Sequence, residues 1–421
     1  MPDLTAQQQQ HQKEVAERIK QSLDGKVDDI SIIHIVNDLV ENAHEMGASD
    51  IHLDPEEGDI RVRFRIDGVL SDFYKLPKEL QSEVTTRVKV LAGMRTDEHQ
   101  AAQDGRFKLS LEDGHKTNID VRVSIAPTYF GENCVMRLLA QTKGGSITLE
   151  SLGFSGTNLE KINRAMKRPF GLILATGPTG SGKTTTLYSI MQKLNTPDVS
   201  IITIEDPIEY SIEGIDQIQV NQRTGLTFAE GLRFILRQDP DTIMVGEIRD
   251  NETSGIAVNA AMTGHLVLST LHTNDAATTL PRLLDMGVEP FLIASTVNIA
   301  IGQRLVRTIC SACKVERNLK PEEIEAMKKT MSGEFVEASK SSYFGMGCEK
   351  CGKTGFQGRI GIHEVLIITE ELRTMIMERA TASEIKEKAI EQGMVPMMQD
   401  GLEKVKRGIT TAEEVLRVFY E

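Results

Sequence analysis

Eight residues, Gly177-Pro178-Thr179-Gly180-Ser181-Gly182-Lys183-Thr184, stand between an apolar run, Gly171–Thr176, and a helix-compatible run, Thr184–Leu194. Strand, glycine-rich turn and helix in that order leave few folds open. Three glycines let the turn aim backbone N–H groups inward, and the helix that follows adds the positive end of its dipole. A chain folded this way holds a phosphate chain. Lys183 is placed to reach the outer phosphates, and Thr184, followed by Thr185, offers a hydroxyl to Mg²⁺. The expected cofactors are ATP and Mg²⁺.

The sequence around this turn agrees with an α/β fold. Leu172–Ala175, Ile201–Ile204, Ile243–Val245 and Leu266–Leu268 are apolar without alternation. Such strands are buried on both faces, as in a parallel sheet between two helix layers. Upstream the pattern is different. Ile32, Ile33, Val36, Leu39, Val40 and Ala43 recur at helical spacing, with Gly47 as the stop. Ile60, Val62, Phe64 and Ile66 then alternate with Arg61, Arg63 and Arg65, and Asp67-Gly68 reads as a hairpin turn. A second hairpin is expected from Phe107–Leu111 through Asp113-Gly114 to Ile119–Val123. The reading is a polar tether over 1–28, a small α+β domain over 29–140, a linker over 141–150 and an ATPase domain over 151–421. Near the C-terminus, Thr411-Ala412-Glu413-Glu414 fits a capping box.

Acidic and basic groups lie behind the phosphate loop at strand ends. Glu205-Asp206-Pro207-Ile208-Glu209 follows the second apolar strand, and Gly246-Glu247 follows the third. Carboxylates there can hold a metal or orient an attacking water. His265 and His272 bracket the fourth strand, and either could sense a terminal phosphate. Four of five cysteines form two C-x-x-C pairs, Cys310/Cys313 and Cys348/Cys351. That spacing suits four thiolates around a structural Zn²⁺, within a subdomain over about 305–358.

Composition limits the classes. Net charge is −13, aromatics are 5% and Trp is absent, which argues against a protein that tracks nucleic acid. No apolar run is long enough to span a bilayer and the start lacks a secretory pattern, so a cytoplasmic location is expected.

Together, Gly177–Thr184, Ile202–Tyr210 (ITIEDPIEY), Arg237–Asp250 (RQDPDTIMVGEIRD) and Thr263–Thr273 (TGHLVLSTLHT) resemble the Walker A, Asp box, Walker B and His box of secretion-superfamily ATPases. The paired cysteines and Gly358–Glu364 resemble the PilB/GspE branch, which drives type IV pilus assembly and type II secretion. The resemblance implies a PAS-like domain followed by a RecA-like P-loop domain with a tetracysteine zinc subdomain. It implies a homohexamer acting on an inner-membrane platform protein and, through it, on pilins or pseudopilins. It carries the Walker B glutamate onto Glu247, the catalytic Asp-box glutamate onto Glu209 with Glu205 as fallback, and the His-box histidine onto His272. Phosphate-reaching arginines fall on Arg106, Arg122 and Arg137. Many members carry a further N-terminal docking domain, whereas only residues 1–28 precede the PAS-like stretch here. A retraction motor is the alternative within the class, although that branch lacks the paired cysteines. A zinc-ribbon nucleic-acid translocase and a non-hydrolysing ATP-binding scaffold are alternatives outside it.

Overall fold

The computed structural model describes residues 6–25, 27, 30–110, 118–139, 147–318, 324, 325, 333, 336 and 341–420. The expected turn at Asp113-Gly114 and the linker stretch Gln141–Ser146 lie outside the described residues. Two compact units divide the chain, Met1–Gly145 and Ser146–Glu421.

The first unit is built on a six-stranded antiparallel sheet in the order β3-β2-β1-β6-β5-β4. The strands are β1 (Ala48–Pro55), β2 (Asp59–Ile66), β3 (Val69–Pro77), β4 (Gln103–Ser110), β5 (Asn118–Thr128) and β6 (Gly131–Leu139). Helices α1 (Ala6–Asp24), α2 (Ile32–Glu45) and α3 (Gln81–Leu91) complete it. Period-two alternation buries Ile60, Val62 and Phe64 and leaves Arg61, Arg63 and Arg65 on the opposite face. One core joins Val36, Leu39, Val84 and Val88 of the helices to Ile51, Val62, Phe64 and Val121 of the sheet. Asp67 and Gly68 both have positive φ, 50° and 87°, which closes β2 onto β3 in a two-residue turn. The N-terminal stretch differs from the expected tether. It is helical as α1, and Val15 and Ile19 are fully buried in the same core. Four residues apart, they form a short apolar stripe that the polar composition around them hides.

The second unit is built on a seven-stranded sheet in the order β15-β12-β7-β11-β10-β8-β9. Its strands are β7 (Gly171–Thr176), β8 (Ile201–Glu205), β9 (Asp216–Gln219), β10 (Thr242–Val245), β11 (Leu266–Leu271), β12 (Val297–Ile309) and β15 (Phe356–Ile367). All neighbours are parallel except β12 and β15, which pair antiparallel. The helices here are α4 (Gly156–Met166), α5 (Lys183–Leu194), α6 (Phe228–Ile235), α7 (Asn251–Met262), α8 (Thr279–Asp285) and α9 (Pro290–Thr296), and further helices follow β15. The missing alternation has its reason in two cores. Leu172 and Leu174 pack on one face with Ala257, Val258 and Ala261 of α7. Ile173 and Ala175 pack on the other with Leu187, Ile190 and Met191 of α5. This is the P-loop α/β architecture the sequence implies. Between β12 and β15 in the chain, β13 (Lys314–Asn318) and β14 (Ser341–Gly345) pair antiparallel as a separate two-stranded sheet.

Candidate nucleotide site and metal centre

β7, β11, β10 and β8 run parallel, so their carboxyl ends share one edge of the sheet. The glycine-rich loop leaves β7 there, and each neighbour delivers its motif to the same edge.

The loop is shaped by three glycines with positive φ: Gly177 (148°), Gly180 (78°) and Gly182 (85°). At Gly177 a Cβ would come within 2.4 Å of the Gln303 carbonyl and 2.6 Å of Ser181 Oγ, so no larger residue fits. Lys183 opens α5, and its Nζ donates to the carbonyls of Gly177 (2.8 Å) and Pro178 (3.0 Å). Burial pushes the Lys183 ammonium down to about 8, opposed by the charge of Glu247. Ser181 Oγ is buried and has no hydrogen-bond partner. A buried cation, an orphaned hydroxyl and a cradle that a Cβ would fill suit a phosphate chain. Thr184 and Thr185 are half-buried in the first turn of α5.

Gln303 on β12 braces this loop. Its Nε2 donates to Ser181 O at 2.6 Å, and its Oε1 accepts from Thr186 Oγ1 at 2.8 Å. Sequence reading missed it, because the bracing glutamine lies in a different strand, far along the chain.

Glu247 follows β10. Its Oε2 takes Arg249 Nε at 2.7 Å and lies 3.3 Å from His272 Nε2. The Gly246 before it has a physical reason: a Cβ there would stand 3.3 Å from Glu205 Cα on the neighbouring strand. Thr270 Oγ1 donates to Gly246 O at 2.7 Å and ties β11 to the same point. A cavity of about 380 Å³ on this side is lined by Ile248, Arg249, Leu271, His272 and Arg282.

The two histidines separate. His272 follows β11 on the loop edge, whereas His265 precedes it. Seven steps at about 3.3 Å each place them ~23 Å apart. The His265 ring meets Ala260 O at 2.9 Å, at the end of α7, so a phosphate-sensing role does not fit it.

The two Asp-box glutamates also separate. Glu205 is buried, and its oxygens accept from Tyr188 Oη, from Thr203 Oγ1 (2.6 Å) and from Gln217 Nε2 (3.1 Å). A carboxylate engaged in this way is not placed to take a proton from water, which corrects the fallback assignment of catalysis to Glu205. Glu209, four residues on, is exposed.

In the first unit Arg106 on β4, Arg122 on β5 and Arg137 on β6 pair in register across neighbouring strands. They lie on the face away from Phe107, Val121 and Met136. Asp50 on β1 continues the row and accepts from Arg137 Nε at 2.8 Å. Hydrogen bonds from Arg137 and Ser49 hold its carboxyl low against the opposing effect of burial.

The four cysteines converge at the ends of β12 and β15. Sγ–Sγ distances are 3.9 Å for Cys310–Cys348, 3.8 Å for Cys313–Cys351 and 3.7 Å for Cys348–Cys351. A tetrahedral zinc with bonds of about 2.3 Å separates its sulfurs by ~3.8 Å, so the donor set fits. Backbone N–H groups of Cys348 (3.2 Å) and Gly355 (3.3 Å) point at Cys351 Sγ, as they do around thiolates. Gly345 and Gly355 touch back to back; a Cβ at Gly345 would collide with Gly355 O at 2.0 Å.

His363 and Glu364, singled out in the C-terminal motif, are both buried. The His363 ring stacks on Phe154 with centroids 3.6 Å apart. Glu364 accepts from the N–H groups of Ala276 (2.9 Å) and Met397 (3.1 Å). Both serve packing of the second unit.

Strand, glycine-rich loop, helix and acidic strand ends at one sheet edge define a P-loop nucleotide-binding protein. Residues 25–417 match the family described as type II/IV secretion system protein, and the chain belongs to it. It is 45% identical over 405 residues to the type IV pilus assembly ATPase PilB of Thermus thermophilus, covering 96% of this chain and 44% of that protein. It is 46% identical over 394 residues to the type II secretion system ATPase E of Vibrio cholerae, covering 94% of this chain and 76% of that one. The chain therefore spans less than half of the Thermus relative. The crystal structure of the pilus retraction motor PilT with bound ADP is similar at 27% identity and a TM-score of 0.60, covering 91% of this chain and 96% of that chain. Among the described residues, no helix is long and apolar enough to cross a membrane.

Proposed function

We propose that this chain is the ATP-hydrolysing motor of a type IV pilus assembly machine or of the related type II secretion pseudopilus. The observation that carries the reading is the convergence of Lys183, Glu247 and His272 at one sheet edge, in a chain whose relatives are pilus-assembly and secretion ATPases. When bound, ATP with Mg²⁺ supplies the scissile phosphoanhydride and the metal's charge. Gly177–Gly182 would turn backbone N–H groups to the phosphates, Lys183 would neutralise the outer ones and Thr184 would offer its hydroxyl to the metal. Glu247, fixed through Oε2 by Arg249 and His272, positions the attacking water. Glu209 is the second carboxylate acting on that water.

The arginine row Arg106, Arg122 and Arg137 is assigned to stabilising phosphate charge as it develops. The working form is a homohexameric ring in the cytoplasm that pushes on an inner-membrane platform protein, with pilins or pseudopilins as the indirect load. Zn²⁺ on Cys310, Cys313, Cys348 and Cys351 is structural. Its thiolates favour assembly over retraction, since the retraction branch lacks the pairs.

Phosphate release by the purified chain tests the reading. Turnover should rise per chain as rings form with concentration, should fall strongly in Arg106→Ala and Arg122→Ala, and should not respond to DNA. DNA stimulation, or unchanged turnover in both arginine variants, would contradict it.

A further inference from the structure

Tyr188 lies five residues, about 1.4 turns, beyond Lys183 on α5, and its side chain is fully buried. A phenol has one proton to donate and two lone pairs to accept with. Here the hydroxyl donates to Glu205 Oε2, accepts the N–H of Glu209 at 3.3 Å and meets Gln217 Nε2 at 3.4 Å. Its capacity is used in full. Burial and the nearby Glu205 charge push the phenol well above its usual range, so it stays protonated as the donor.

The partners extend the grip. Gln217 on β9 accepts the N–H of Ile212 at 2.8 Å and donates to Tyr210 O at 3.2 Å. The network therefore holds the backbone of the loop after β8 at three points: Glu209 N, Tyr210 O and Ile212 N. Its anchor is the helix that begins at Lys183.

We propose that Tyr188 is a positioning residue that couples the phosphate-binding helix α5 to the loop carrying Glu209, with buried Glu205 as the fixed acceptor that orients its hydroxyl. The inference rests on the assignment of Glu209 to the attacking water. It gives Glu205 a role: the charge that aims Tyr188 rather than a base. A shift of α5 on phosphate binding is carried to Glu209 through one hydroxyl, because that hydroxyl bonds to the loop's own N–H.

Tyr188→Phe tests it. Phe keeps the ring against Tyr210, whose centroid is 4.7 Å away, and removes only the hydroxyl. The expected result is a kcat lower by about 10- to 100-fold, the range for losing a group that positions another. KM and equilibrium affinity for ATP should stay within about threefold, since the phosphate loop is untouched. In the double variant Tyr188→Phe/Glu209→Gln, turnover should match Glu209→Gln alone, because a positioning residue has nothing left to position. A purely structural Tyr188 would instead multiply the two losses, which overturns the inference. Near-normal kcat in Tyr188→Phe beside a slow Glu209→Gln overturns it as well. Normal turnover in Glu209→Gln overturns the parent assignment first, and this inference with it. Should Tyr188→Phe fail to fold, Gln217→Leu releases the same loop from the β9 side and must show the same kcat-only loss.

Discussion

His272 Nε2 and Arg249 Nε meet on one oxygen, Oε2 of Glu247, at 3.3 and 2.7 Å. Two donors from different strand ends therefore fix one side of a single carboxylate. The arrangement orients Glu247 without surrounding it, as a water-positioning group requires.

Replacing that carboxylate by an isosteric amide separates binding from turnover. Glu247→Gln should bind ATP as the unaltered chain does and hydrolyse it on the order of 100-fold more slowly. Equilibrium binding and phosphate release on the same preparation check this; near-normal turnover would remove Glu247 from the reaction.

Lys183 gives nucleotide binding a pH dependence. Burial holds its ammonium down at about 8, against the usual 10.5. Below about 8 the group is charged and attracts phosphate; above it the free protein is neutral there, and a proton must be taken up to bind. ATP affinity should be nearly flat up to the low sevens and fall as pH rises through 8. The fall should disappear in Lys183→Met, which binds weakly throughout. A fluorescent nucleotide titrated across this range measures both.

The thiolate cluster should carry about one Zn²⁺ per chain by elemental analysis. Cys310→Ser should lose most of that metal and lower the thermal stability of the second unit, because metal affinity is folding free energy. ATP affinity should change little. Four freely titrating thiols and no zinc in the purified chain would contradict the assignment.

Much of the candidate nucleotide site is legible in the sequence because its residues are local. Each glycine of Gly177–Gly182 answers to its own φ, and Lys183 to its place at the start of a helix. The doubly buried strands were legible because two cores leave no polar face to mark them. What escaped depends on register or on distant residues. Arg106, Arg122 and Arg137 are each named by the resemblance, but their single row follows from strand pairing, which alternation does not specify. Gln303, Gln217 and Tyr188 act through bonds to residues far along the chain or in another strand. His265 and His272 look alike as residues and differ only in which end of β11 they occupy. The capping box at Thr411 is half present. Thr411 Oγ1 accepts the Glu414 N–H at 3.4 Å, but the Glu414 carboxylate bonds Arg307 (2.5 Å) and Arg417 (2.9 Å). Despite the opposing effect of burial, those partners draw its carboxyl down to about 2.

Surface fibres test the central claim most directly. Source cells in which Glu247→Gln replaces the native residue should make the chain at normal levels and assemble no pili, or no pseudopilus-dependent secretion. An assembly motor without turnover leaves subunits in the membrane. Normal fibre numbers would contradict the account, and longer or more abundant fibres would mark the chain as a retraction motor instead.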